Sequence, residues 1–242
     1  MYLIGFFVGA TLGIIRARRP DSGWTADDVW DLVFFVFIGV MLGGRIGYAF
    51  LYNPGHFLAN PLDIVKVWQG GMSFHGGLIG VCIATAWFCW RKKRSLLAVG
   101  DFLAPLCPPG ILAGRIGNFI NQELWGRPTD GPLGVIFPIE GANAVARYPT
   151  QLAEAFLEGL VLFVILWWYS SRPRPTGSVA ALFLICYGLF RIFVEFFREP
   201  DAHIGFLAYD WLTMGQVLSL PLVIIGLLMW SFARSKPGNY PA

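Results

Sequence analysis

Four arginines set the chemistry open to this sequence. Arg45, Arg115, Arg191 and Arg198 stand inside or at the ends of apolar stretches, where a guanidinium is costly unless it meets an anion or water. The planar guanidinium fork donates two parallel hydrogen bonds to phosphate oxygens, so a cluster of them suits the headgroup of an acidic phospholipid. Arg115 lies in the run Gly114 to Thr129, which starts apolar and ends polar. That run carries two arginines, two asparagines, a glutamine and a glutamate among its glycines, which let backbone turn tightly or approach a ligand closely. A solitary arginine at such a place could equally snorkel to the headgroups. The density of hydrogen-bonding side chains here, Asn118, Asn121 and Glu123 among them, favours a binding site.

Tyr187, Arg191, Glu195 and Arg198 follow helical spacing and share one face. Arg191 falls about seven residues from the outer end of its segment, roughly 10 Å deep at 1.5 Å per residue. An Arg191–Glu195 pair alone would neutralise itself and only hold helices together. Arg115 and Arg198 add an expected excess of positive charge, which argues for an anion, with Glu195 orienting a guanidinium. His75 sits between glycines in Gly70 to Leu78. A histidine in a membrane can serve as a hydrogen bond between helices, and this one is also the best-placed general base by titration range. Gln151, Glu154 and Glu158 recur at helical spacing, an acidic stripe expected to pair with the arginines. His56 and His203 read as loop residues without a role. Cys82, Cys89, Cys107 and Cys186 form no CxxC pair, and no metal-ligand spacing occurs, so no metal is expected.

The elements that must position these groups are membrane spans. The 242 residues are 56% hydrophobic and 14% charged, with a mean hydropathy of +0.59, against roughly 25% charged in soluble domains. Seven apolar segments are expected, near residues 2–15, 32–51, 74–90, 96–120, 149–169, 177–197 and 213–232. The fourth contains Asp101, Pro105, Pro108, Pro109 and Gly110, so a kink is expected there. The longest polar connection is 121–147. The fold class is therefore all-α: a polytopic membrane helical bundle with seven transmembrane helices, forming a single integral-membrane domain over 1–242. Basic clusters follow the first, third, fifth and seventh segments: Arg16 with Arg18 and Arg19, Arg91 to Arg94, Arg172 with Arg174, and Arg234 with Lys236. By the positive-inside rule those ends face the cytoplasm, placing the N-terminus in the periplasm and the C-terminus in the cytoplasm. The first segment is short for a span: either neighbouring helices support it, or the written start lacks its first part. Gly44-Arg45-Ile46-Gly47-Tyr48 echoes Gly114-Arg115-Ile116-Gly117-Asn118, although five residues do not make a repeat.

From these residues alone two classes compete: an enzyme acting on anionic lipid at the outer leaflet, and a membrane transporter or binding protein for a small anion. Polar residues gathered at the outer ends, and halves that do not mirror each other, favour the enzyme.

Three separated motifs bring a resemblance. Gly114 to Gly126, Gly70 to Gly77, and Tyr187 to Arg191 with Glu195 to Arg198 resemble the signatures of the prolipoprotein diacylglyceryl transferases, and the likeness extends over essentially the whole chain. The resemblance implies a bacterial inner-membrane enzyme that moves the diacylglyceryl group of phosphatidylglycerol to the thiol of a lipobox cysteine in a prolipoprotein signal peptide. A thioether forms and glycerol phosphate leaves. It implies no cofactor and no nucleic-acid partner. By the match, Arg115 binds the phospholipid with Arg191 as its partner at the phosphate, and His75 or Tyr187 helps remove the thiol proton. Asn118, Asn121 and Glu123 shape the headgroup pocket, Gly126 lets the loop fold over it, and Glu195, Arg198 and Arg45 belong to the binding region. Two departures stand. Relatives usually carry residues ahead of Met1, including a tyrosine near the outer face. Tyr148-Pro149-Thr150-Gln151-Leu152 replaces a His-Pro-Ser-Gln-Leu pattern, so no histidine role passes to Tyr148.

Overall fold

The computed structural model describes residues 2–20, 22–138, 145–200, 205–209 and 211–235. His203 and Lys236, named above, lie outside the described residues. Helices make up most of the described chain: α1 Tyr2–Ala17, α2 Ala26–Leu51, α3 Pro54–Ala59, α4 Phe74–Lys92, α5 Leu96–Leu103, α6 Cys107–Ile120, α7 Thr150–Glu154, α8 Leu162–Tyr169, α9 Ser178–Glu195 and α10 Met214–Ser235. Among the described residues, five apolar runs are long enough to cross a bilayer: Ala26–Leu51, Leu96–Ile120, Thr150–Tyr169, Ser178–Glu195 and Met214–Ser235, with Leu3–Ala17 a shorter one. The chain divides into two compact units, residues 16–99 and residues 1–15 with 100–242.

In the unit of residues 16–99, α2 and α4 lie against each other along glycines. A Cβ on Gly47 would fall 2.7 Å from the Cα of Gly76, and one on Gly43 2.9 Å from the Cα of Gly80. Such small-residue seams let helix backbones meet in lipid, where apolar burial drives no association. α2 begins six residues ahead of the expected Leu32. The reason is a capping box: Thr25 Oγ1 accepts from the Asp28 amide at 3.1 Å, and Asp28 Oδ2 accepts from the Thr25 amide at 3.3 Å. Asp28 also meets Lys92 at 2.9 Å and Arg94 at 2.8 Å, and Asp31 meets Lys92 at 2.8 Å. The start of α2 is thereby bonded to the end of α4.

The other unit is built around segment 96–120 and its partners. The expected break falls at Ala104–Leu106, where the chain tightens into a 3₁₀ turn between α5 and α6. Pro105 and the following Pro108 and Pro109 supply no backbone donor there. α7 runs through a π-helical stretch, Ala155–Val161, into α8, so 150–169 is one continuous helical rod. The Asp101 carboxylate accepts from the amides of Gly177 (2.5 Å), Val179 (2.9 Å) and Ala180 (2.8 Å), capping α9 from a neighbouring helix. α9 and α10 run antiparallel, Gly188 facing Ser219 and Val223 while Gly226 faces Ala181 and Ile185. Ala104, Leu162, Leu166 and Val179 form a buried core on which Phe183, Tyr187 and Phe190 pack. The all-helical expectation misses one feature: β1 Val135–Ile136 pairs antiparallel with β2 Ala146–Arg147 inside the long connection.

Candidate functional site

The carboxylate of Glu154, on the last turn of α7 and fully buried, gathers three guanidiniums. Arg191 from α9 and Arg198 just beyond it donate to Oε1, Arg198 at 3.1 Å. Arg115 from α6 brings Nε to 3.1 Å from Oε2. Arg191 also holds Glu195 Oε2 at 2.9 Å, one turn along its own helix. Glu158, one turn beyond Glu154, is fully buried and sits 3.7 Å from Arg115 Nη2 and 4.0 Å from Arg191 Nη1. The expected excess of positive charge is therefore absent among the described residues: three guanidiniums face three carboxylates. The acidic stripe of the fifth segment supplies the balance, which counting along α9 alone does not reveal.

The sequence places these groups by small residues. Gly159 lets α6 close on the π-helical stretch, since a Cβ there would lie 2.7 Å from Leu112 Cβ and 2.9 Å from Leu112 Cα. Gly215, at the start of α10, leaves room for Glu195, whose carboxylate carbon would be 2.5 Å from a Cβ at that position. Tyr187, two turns along α9 from Glu195, stacks on Phe183 at 5.7 Å and shares the electrostatic surroundings of Arg115, Glu154, Glu158 and Arg191.

The polar connection is stitched to this cluster through backbone. Beyond α6, Gln122 (φ 57°) and Leu124 (φ 59°) turn the chain through left-handed conformations. Glu123 Oε1 accepts from Asn118 at 2.7 Å and from Asn121 at 3.4 Å. Gln151 donates to the Glu123 carbonyl at 2.8 Å, tying the loop to the start of α7. Gly126 is a three-way junction: it is bridged to Arg198, and its amide bonds to the Tyr148 carbonyl at 2.9 Å. A Cβ there would stand 2.5 Å from Tyr148 O, 2.7 Å from Phe197 O and 2.8 Å from Thr150 Cγ2.

Sequence spacing did not single out Arg127, Arg147 and Glu199. Arg147 Nη1 donates to the Gly126 carbonyl at 3.1 Å and to Glu199 at 3.2 Å, and Arg127 Nε donates to the Arg198 carbonyl at 3.1 Å. These residues share no helical face. β-type pairing between distant segments brings them together, and no single-segment periodicity reports that. Tyr148 enters through its backbone and an edge-on contact with Phe197 at 5.4 Å.

Arg45 and His75 belong to the unit of residues 16–99. All five N–H groups of Arg45 meet backbone carbonyls: Nε to Ile64 (2.9 Å), Nη1 to Gly70 (2.5 Å) and Gly71 (3.1 Å), Nη2 to Asp63 (2.7 Å) and Lys66 (3.0 Å). Buried to 5% exposure, it folds the 63–71 loop around itself and has no N–H left for a phosphate in this arrangement. Gly70 and Gly71, both at φ 80°, make that wrapping possible. His75 is exposed on the first turn of α4, whose N-cap Ser73 accepts from the Gly76 amide at 3.1 Å. Outside the membrane segments, Lys66 at 2.6 Å and His56 at 2.9 Å hold the Asp63 carboxyl below its usual range, the Lys66 hydrogen bond contributing most. No cluster of three or more metal-ligating side chains occurs among the described residues.

Comparison with known proteins gives one answer. The family model described as prolipoprotein diacylglyceryl transferase matches residues 1–232. The phosphatidylglycerol–prolipoprotein diacylglyceryl transferase of Solidesulfovibrio magneticus is 56% identical over 238 residues, 98% of this chain and 89% of that protein. The transferase of the same name from Oleidesulfovibrio alaskensis is 55% identical over 236 residues, covering 98% and 88%. That of Coxiella burnetii is 52% identical over 238 residues, covering 98% and 90%.

Proposed function

The chain belongs to the prolipoprotein diacylglyceryl transferase family, and we propose that it moves the diacylglyceryl group of phosphatidylglycerol onto the thiol of a prolipoprotein's lipobox cysteine. A thioether forms, glycerol phosphate leaves, and lipoprotein maturation has taken its first step. The observation that carries this reading is identity above half over nearly the full length of proteins bearing that name. The anion-transport alternative has no comparable support.

The chemistry requires a thiolate, because the thiol itself is a poor nucleophile. It attacks a glyceryl carbon, and the departing phosphate gathers charge that must be met. Guanidiniums already aligned for it reduce the barrier by electrostatic preorganisation. The convergence of Arg115, Arg191 and Arg198 on Glu154 supports this: three forks are held near one point, so little reorganisation is needed to turn them to a phosphate. In this proposal Arg115 and Arg191 grip the phosphate, Glu195 orients Arg191, and Arg198 joins the loop to the cluster. His75 or Tyr187 takes the thiol proton. Asn118, Asn121 and Glu123 border the headgroup, under a loop that closes at Gly126. The role of Arg45 is to hold the 63–71 loop ahead of His75, consistent with its full set of carbonyl partners.

We also place the protein in the bacterial inner membrane as a single domain of seven spans, periplasmic at its N-terminus and cytoplasmic at its C-terminus, with the site toward the periplasm. Both substrates are lipid-borne, so access is lateral, between helices. The test combines purified protein, phosphatidylglycerol and a lipobox peptide with a free cysteine. Mass spectrometry should show a diacylglyceryl thioether on the peptide. Unmodified peptide under conditions in which the protein stays folded would overturn the assignment.

A further inference from the structure

One buried carboxyl in the cluster has a hydrogen bond on neither oxygen. Both oxygens of Glu158 are buried and accept from no donor, and its nearest guanidinium nitrogens stand at 3.7 and 4.0 Å. Glu154 takes hydrogen bonds from Arg191 and Arg198, and Glu195 holds Arg191 at 2.9 Å. Glu158 is therefore the carboxylate whose charge is least compensated, and an unpaired buried charge is expensive.

Charge balance gives this a consequence. Around Glu158 stand Glu154 from its own helical rod, Arg115 from α6, and Tyr187 and Arg191 from α9, with Arg198 following α9. Three guanidiniums already face three carboxylates. Adding a phosphodiester anion would leave one uncompensated negative charge at the cluster, unless a cation or a proton arrives with it. Protonating Glu154 would break hydrogen bonds to two arginines. Protonating Glu158 breaks none.

We propose that Glu158 takes up a proton when an anionic phospholipid headgroup binds to the arginine cluster, freeing Arg115 and Arg191 from a competing carboxylate. This deepens the phosphatidylglycerol reading and rests on it. Glu158 acts as a positioning residue: it sets the charge of the guanidiniums that meet the headgroup. The π-helical stretch in which it lies, Ala155–Val161, is a widened turn of the kind found at functional sites.

The sign follows from linkage. If binding consumes a proton, raising the pH opposes binding. Where Glu158 is ionised in the free protein and protonated in the complex, Kd should rise about tenfold per pH unit. The phosphodiester stays ionised throughout, so the lipid adds no slope of its own.

The experiment measures binding of short-chain phosphatidylglycerol to the full-length protein in zwitterionic detergent from about pH 6 to pH 9, with short-chain phosphatidylcholine as the blank. The parent should lose affinity as pH rises. Glu158→Gln, nearly isosteric and permanently neutral, should bind with a flat profile and about tenfold or more tighter than the parent at the alkaline end. Glu158→Asp should keep a slope. In weakly buffered solution an indicator dye should register close to one proton taken up per lipid bound to the parent, and none with Glu158→Gln. A flat profile in the parent, or an unchanged slope in Glu158→Gln, overturns the proposal and leaves the transferase reading intact. Failure of the parent to bind the lipid at any pH, with no thioether formed, overturns that reading and this proposal together.

Discussion

Arg115 and Arg191 lie 76 positions apart in sequence, yet both reach Glu154, and in the proposed reaction these three side chains form the smallest functional unit. Replacing Arg115 by Lys keeps the charge and removes the fork, so the ion pair survives as a point contact while two-point phosphate binding is lost. Thioether formation should fall about 10²–10³-fold in kcat/KM, the cost of removing one preorganised donor, with the thermal midpoint close to the parent's. An equally active Arg115→Lys would show that charge alone suffices. Gly126 makes a second residue-scale prediction. Its missing Cβ is matched by two carbonyl oxygens and a methyl group, all within 2.8 Å. Gly126→Ala should cost about 1–3 kcal/mol through overpacking. It should also lower activity by pushing the loop away from Arg198, read by differential scanning fluorimetry beside the peptide assay. At this scale much was legible in sequence. Helical spacing put Tyr187, Arg191 and Glu195 on one face, and the acidic stripe of 151–158 was expected to pair with arginines; Arg198, expected on the same face, instead lies beyond the end of α9 and reaches Glu154 from its bridge to Gly126. What spacing could not show was stoichiometry: that the stripe brings enough carboxylate to cancel the guanidiniums is a property of packed helices. Nor could it show that Arg45, set in the same Gly-Arg-Ile-Gly run as Arg115, spends every donor on one loop.

Elements carry the precision that residues need. α6 delivers Arg115 to Glu154 only because Gly159 lets it approach the π-helical stretch. Gly159→Val should push the rod and α6 apart. A displacement of about 1 Å in reacting geometry costs on the order of 10²-fold in rate, so activity should fall by that order while the variant still purifies folded. Activity equal to the parent's would mean that α6 does not set the reach of Arg115. Asp101 is the contrasting case: it caps the end of α9 opposite to Arg191 and Glu195. Asp101→Ala deprives three amides at the start of α9 of their acceptor and should lower stability by about 1–2 kcal/mol. Turnover well below the melting temperature should change little. Periodicity and proline positions predicted the helices and the break near Pro105, because both are local in origin. They missed the π-helical stretch and the β1–β2 pair. A π turn is set by what packs against a helix, and two-residue strands carry no alternation to detect. The early start of α2 was encoded locally, in Thr25 and Asp28, but an acidic cluster reads equally well as a lead-in.

At the scale of the molecule, function turns on which side of the membrane each connection faces. In the proposed reaction the thiol acceptor belongs to an exported protein, so the arginine cluster would open outward and the long connection carrying Gly126 would lie in the periplasm. The same orientation follows independently from the basic residues: Arg172 and Arg174, between α8 and α9, should stay in the cytoplasm. The two connections flank the rod 150–169, which is long and apolar enough to cross the bilayer, so they should lie on opposite sides. Single cysteines at Asp130 and Ser171, both exposed, test this in a chain whose four native cysteines are replaced by alanine. A membrane-impermeant maleimide applied to intact spheroplasts should label the cysteine at 130 and spare the one at 171 until the membrane is permeabilised. Labelling of both in intact spheroplasts would mean that the rod does not span. The reverse pattern would put the arginines on the cytoplasmic side, where an exported thiol cannot reach them. In that case the charge distribution and the proposed reaction would be incompatible, so the labelling outcome bears on the chemistry as directly as on the topology.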